Sequence, residues 1–154
     1  MMIMVAVAIM SLLVITITAI IDPVEMLKRG RDERRVSDLT IIDNALAGYL
    51  VDHEALPDLA TSAQDPILRR SDQLPAGNLA LDSAASGWID SDLSSYLPRM
   101  PIDPINDSTF HYEYSNNIST YELRALLEYD TVTMENDKGD DATYFELGNN
   151  LSLL

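Results

Sequence analysis

The first 21 residues, MMIMVAVAIMSLLVITITAII, carry no charge and only three hydroxyls, Ser11, Thr16 and Thr18. A run apolar on every side predicts a helix meant for a bilayer or for an equally apolar partner. At about 1.5 Å per residue it reaches roughly 32 Å, near the hydrocarbon thickness of a membrane. It outruns the apolar core of a secretory signal peptide and no Lys or Arg precedes it, so a retained segment is expected. The pattern then changes at Asp22-Pro23-Val24-Glu25. Asp22 reads as an N-cap, Pro23 as the first helical residue, and Glu25 as the third position of a capping box. Proline also pushes its predecessor out of the helical region. One helix is therefore expected to end near Ile20 and a second to run from Pro23 to about Asp52. Within the second, Leu39, Ile42, Leu46 and Tyr49, with Leu50 beside them, make one stripe that faces a core.

Residues 57–101 are rich in Ala, Ser, Asp and Pro and read as a connecting loop, with a short helix at 90–96 and with Trp88 and Leu93 pinning it down. Residues 109–115, 119–128 and 142–148 read as strands. In the first of them Phe110, Tyr112 and Tyr114 alternate with His111 and Glu113. Asn116-Asn117 and Gly148-Asn149 are turn signals. The expected fold is α+β: an N-terminal helix, hydrophobic and then amphipathic, broken near Asp22-Pro23 and packed on a small antiparallel meander. Three parts follow, residues 1–21, 22–52 and an acidic domain over 53–154.

Charge sharpens this division. Residues 1–52 hold five basic and seven acidic groups, whereas residues 53–154 hold five basic and eighteen acidic groups. So acidic a domain is soluble and repels nucleic acid. Residues 25–38 carry four candidate i,i+4 pairs, Glu25–Arg29, Lys28–Asp32, Arg29–Glu33 and Arg34–Asp38. This collar reads as a solvated face, or as a contact for acidic lipid or a neighbouring acidic surface. Its five basic residues follow the apolar run, which by the positive-inside rule favours a cytoplasmic C-terminal domain unless a basic leader once stood ahead. Gly30 weakens the helix by about 1 kcal/mol relative to Ala. There is no cysteine, which excludes disulfides and thiolate chemistry. His53 and His111 lie far apart in sequence without a recognisable nucleophile, and no Gly-rich phosphate loop is present, so catalysis is not expected.

The layout resembles that of type IV pilins and the related pseudopilins. The likeness is strongest over RDERRVSDLTIIDNALAGYLVDHEALPD (31–58), similar to the family's second half-helix running into a Pro-opened loop. It is also strong over YLPRMPIDPINDSTFHYEYSNN (96–117), similar to the segment leading into its Tyr-rich sheet. The resemblance implies a structural subunit that waits in the cytoplasmic membrane as a single-pass protein. A prepilin peptidase and pilus assembly machinery would then bring identical copies into an extracellular filament for adhesion, motility or DNA uptake. Residues Met1, Val5, Ile9, Leu12, Leu13 and Ile17 would pack the filament core. Residue 5 is Val where the family usually carries Glu, so apolar packing is expected to hold the core. Two other functions stay open: a pseudopilin of a secretion system, and a single-pass anchored acidic binding domain that does not polymerise. No direct nucleic-acid binding by the shaft is expected.

Two kinds of site remain. ENDKGDD (135–141) places Asp137, Asp140 and Asp141 around Gly139. Hard cations take several such oxygens, but the spacing departs from the twelve-residue Ca²⁺ loop. Major pseudopilins hold Ca²⁺ in a comparable loop, so the resemblance adds a Ca²⁺ reading to that of a solvated turn; no cofactor is otherwise required. Asn106, Asn117 and Asn150 each open an N-x-Ser pattern for glycosylation.

Overall fold

The computed structural model describes residues 1–20, 22–58, 67–74, 83 and 87–154, and within the first helix it describes side chains up to Thr16. Helix α1 spans Met2–Ile20 and α2 spans Pro23–His53. Between them Asp22 is extended (φ −76°, ψ 102°), and its carboxylate accepts the N–H groups of Val24 at 2.9 Å and Glu25 at 3.3 Å. This is the N-cap expected from Asp-Pro. The reciprocal half of a capping box is absent from the arrangement, because the Glu25 carboxylate takes the Arg29 guanidinium instead. α2 closes at Glu54, a left-handed C-cap (φ 54°) whose N–H reaches the Leu50 carbonyl.

Four strands follow: β1 (Ile67–Arg70), β2 (Tyr112–Asn117), β3 (Thr120–Ala125) and, after the short helix α3 (Thr131–Asn136), β4 (Phe145–Gly148). They form one antiparallel sheet in sequence order. Register puts Tyr112, Ala125 and Phe145 in one row and Tyr114, Leu123 and Leu147 in the next. These rows face α2, whose Leu39, Ile42, Ala45 and Leu46 are buried against them, with Tyr49 and Leu50 at the margin. Leu56, Trp88, Ile89, Leu93, Leu97 and Met100 close the sides of this core. Trp88 is fully buried and donates its indole N–H to the Pro101 carbonyl at 2.9 Å. Tyr114 and Asn116 both donate to the Pro57 carbonyl, which ties the loop after α2 to the sheet.

The sheet differs from its sequence-based expectation in ways with physical causes. The predicted loop 57–101 contains β1, paired along β2; residues 59–66, 75–82 and 84–86 of that loop lie outside the described residues. The strand expected at 109–115 begins at Tyr112, because the Asp107 carboxylate takes the N–H groups of Thr109 and Phe110 into a local turn. The strand expected at 119–128 stops at Ala125. Glu128, Tyr129 and Asp130 give their N–H groups to the Asp32 carboxylate of α2 rather than to a ladder. The strand expected at 142–148 starts at Phe145, since Asp141 holds Thr143 by its N–H and hydroxyl. Residues 90–96 form a single turn around Leu93 rather than a helix, and α3 arises where none was predicted, capped by Asp130. The turn between β2 and β3 is Ile118-Ser119, one residue beyond the Asn-Asn pair.

Candidate functional site

Two features of α1 define what it can do. Every described side chain on it is exposed, from Met1 through Val5, Ile9, Leu12 and Leu13 to Thr16. Exposure on all faces means that none of the described residues covers this part of the helix. Ile17, expected alongside them, lies outside the described side chains. The hydroxyls are also satisfied within the helix: Ser11 donates to the Ala8 carbonyl at 2.9 Å and Thr16 to the Leu12 carbonyl at 2.7 Å. The described surface of α1 thus offers apolar contact in which the Ser11 and Thr16 hydroxyls are already bonded within the helix. Among the described residues no helix is long and apolar enough to cross a membrane.

The charged collar is a clamp. Arg35 is fully buried; its Nε lies 2.6 Å from Asp103 Oδ2, and its Nη1 lies 2.8 Å from both Asp32 Oδ1 and Glu128 Oε1. Arg31 grips Glu128 with two bonds, at 2.5 and 2.6 Å. The Phe110 ring stacks 4.8 Å from the Arg35 guanidinium. Burial pulls Arg35 toward its neutral form, but hydrogen bonds to Asp103, Glu128 and Asp32 outweigh burial and raise its pKa overall. Hydrogen bonding to Arg31 is the main reason that Glu128 is lowered to about 2. Of the four expected i,i+4 pairs, Glu25–Arg29 (2.6 Å) and Arg34–Asp38 (3.4 Å) form. Lys28–Asp32 and Arg29–Glu33 are replaced, because Asp32 turns inward to Arg35 and Arg29 turns to Glu25 and the Tyr129 hydroxyl. A cavity of about 490 Å³ beside the clamp, between α2 and the start of α3, is lined by Arg29, Glu33, Val36, Tyr129 and Thr133.

The inward position of Asp32 and Arg35 had a readable signal. Positions 32, 35, 39, 42 and 46 continue one helical stripe, so the two charges lie on the core face and need partners there. Asp103 and Glu128 carry no comparable signal, since nothing local in the sequence says that a loop aspartate and a glutamate beyond the end of β3 meet α2.

The acidic loop is organised by its own backbone. Asp137 accepts the N–H groups of Gly139 and Glu146, each at 2.7 Å, while Asp141 holds Thr143 and Asp140 is exposed. Two of the three aspartates expected to offer oxygens to Ca²⁺, Asp137 and Asp141, thus spend carboxylate oxygens on backbone N–H groups of the loop and of β4. Among the described residues no group of three or more His, Asp or Glu is placed to hold a metal ion. The glycosylation candidates differ in availability. Asn106 has both ends of its amide bonded to Ser71, whereas the bonds at Asn117 and Asn150 engage only the amide oxygen. The histidines sit apart: His53 stacks on Tyr49 at 4.0 Å, and His111 lies between Arg70 and Glu113.

No protein-family model matches the chain, and searches of curated proteins and of solved structures returned no match.

Proposed function

We propose that this chain is the structural subunit of a type IV pilus-like extracellular filament, built by packing the α1 helices of identical copies into a common core. The observation that carries this reading is the exposed apolar surface of α1, joined through Asp22-Pro23 to a helix anchored in an acidic domain. Burying each large apolar side chain between copies is worth about 1.5–3 kcal/mol relative to water. Transfer out of lipid is nearly even, so close packing between helices decides assembly. Before assembly the same helix would hold the subunit in the cytoplasmic membrane. In the filament the acidic domains would coat the outside, and their charge argues against sequence-independent DNA binding by the shaft.

Electron microscopy of filaments sheared from the cells, with mass spectrometry of the subunit, tests this reading. Filaments made of this chain, with a trimmed and methylated N-terminus, are the expected result. Protein confined to membranes and never polymeric would replace the proposal with the anchored acidic domain. Short filaments formed only with a secretion system would favour a pseudopilin.

A further inference from the structure

The sheet face turned away from α2 carries a charged row in register across all four strands: Arg70, Glu113, Arg124 and Glu146. The neighbouring row runs Leu68, Ser115, Glu122 and Gly148. Glu122 therefore brings a second carboxyl to Glu146 without bringing a cation. Both glutamates are fully buried. Glu122 Oε2 accepts the N–H groups of Leu153 at 2.7 Å and Leu154 at 3.1 Å, and Glu146 Oε2 accepts that of Asp141 at 3.2 Å. The other oxygen of each, Oε1, is buried and meets no donor, as is true of the Ser115 hydroxyl opposite Glu122.

Of the other charged groups on the elements packed against the pair, Lys138 and Asp140 are exposed to solvent, and those that follow are engaged elsewhere. Asp137 takes the Glu146 N–H and adds negative charge. Asp141 turns its carboxylate to Thr143. Arg124 is bonded to Glu113 and stacked 4.3 Å over Tyr144, while His111 and Arg70 complete the row on the far side of Glu113. Gly139 lies so close that a Cβ there would sit 1.6 Å from Glu146 Oε2, so this loop is fitted onto the pair. Two buried carboxylates side by side, each with an undonated oxygen, are costly when both are ionised. One proton between them satisfies both oxygens.

We propose that Glu122 and Glu146 share a single proton, forming a clasp that holds residues 137–141 and 153–154 on the sheet and releases them when the proton passes to solvent. Burial, reinforced by the hydrogen bond and charge of Glu122, raises Glu146 to about 7, which puts the release near neutrality. The clasp stands whether or not the chain polymerises.

Hydrogen exchange of the full chain in detergent micelles, corrected for intrinsic rates, tests it between pH 5 and 8.5. The amides of Leu153, Leu154 and Asp141 are expected to lose protection by up to roughly tenfold per pH unit above about pH 7. In Glu146→Gln the side-chain amide donates to Glu122 at every pH, so protection should stay flat; Glu122→Gln serves if that variant does not fold. Flat protection in the wild type, or an unchanged slope in the folded glutamine variant, overturns the clasp. Millimolar Ca²⁺ at pH 8 should change nothing. Restored protection would replace the shared proton with a bridging cation.

Discussion

Arg35 occupies the helical stripe of Leu39, Ile42 and Leu46, yet it carries a full charge into the core beside two Asp and one Glu. Such a cluster specifies geometry more than it adds stability, but removing its one central cation strands buried carboxylates. Arg35→Met should therefore destabilise the fold by about 3–5 kcal/mol, read as a lowered urea midpoint in detergent. Glycine 139 makes the complementary case. Its Cβ would collide with Glu146, so Gly139→Ala should lower the melting temperature although the loop is half-buried and polar. A sequence reader sees Gly139 as an ordinary turn glycine, because the constraint comes from a strand residue seven positions away. Ile118 shows the opposite imbalance. It is a β-branched residue at φ 58°, spanned by a 2.6 Å hydrogen bond from the Ser119 N–H to the Asn117 carbonyl. Ile118→Gly should relieve strain and raise stability by about 1 kcal/mol in the same melts.

At the scale of elements, the two long helices, α1 and α2, were the most legible part of the chain. Their boundary rests on Asp22 and Pro23, whose chemistry acts locally, and the core stripe from Leu39 to Leu46 has a clean period. The strands were less legible, since their ends are set by side chains elsewhere in the fold: Asp107, Asp141 and, from α2, Asp32. β1 had no visible signal, because ILRR is short and its partner β2 lies more than forty residues downstream. The buried Glu113, Glu122 and Glu146 were also illegible. Alternation marks them as solvent-facing, and only the fold shows residues 131–141 and 149–154 covering that face. The cap itself can be tested. Asp22→Ala should cost about 0.5–2 kcal/mol of local helix stability, seen as faster amide exchange over residues 24–28 with the distant sheet unchanged.

For the whole molecule, pH acts through two groups of opposite sign. Glu128 sits at about 2 against an ordinary 4.5, so its contribution is complete above pH 4.5 and is lost as pH falls toward 2. Glu146 sits at about 7 against the same 4.5, so its contribution is complete below pH 4.5 and is lost as pH rises toward 7. Each is worth at most about 3 kcal/mol. Repulsion within a chain of net charge −15 steepens the alkaline side. Thermal melts should therefore peak near pH 4.5 and fall in both directions, and Glu146→Gln should flatten only the alkaline limb. A melting temperature that climbs steadily from pH 5 to 8 would contradict this balance. Assembly has its own test at this scale. On the assembly proposed above, Leu12→Lys should abolish filaments while leaving the melt of the acidic domain unchanged, because the Leu12 side chain is exposed on α1, outside that domain.

The bonds from Asp32 to three successive amides and to Arg35 also have a mechanical meaning. Tension drawn along α1 enters the domain at the first turns of α2 and meets the exposed contacts of Glu25 and Arg29 with Tyr129 before the Arg31–Glu128 pair. From Asp32 onward the load is shared among ion pairs, strand-end amides and the apolar core. Ahead of that point the described residues are helical on either side of the Asp22-Pro23 junction and carry fewer such bonds, and helix yields one hydrogen bond at a time. A chain pulled at α1 would therefore lengthen ahead of Asp32 first, while the sheet and its acidic surface stay folded.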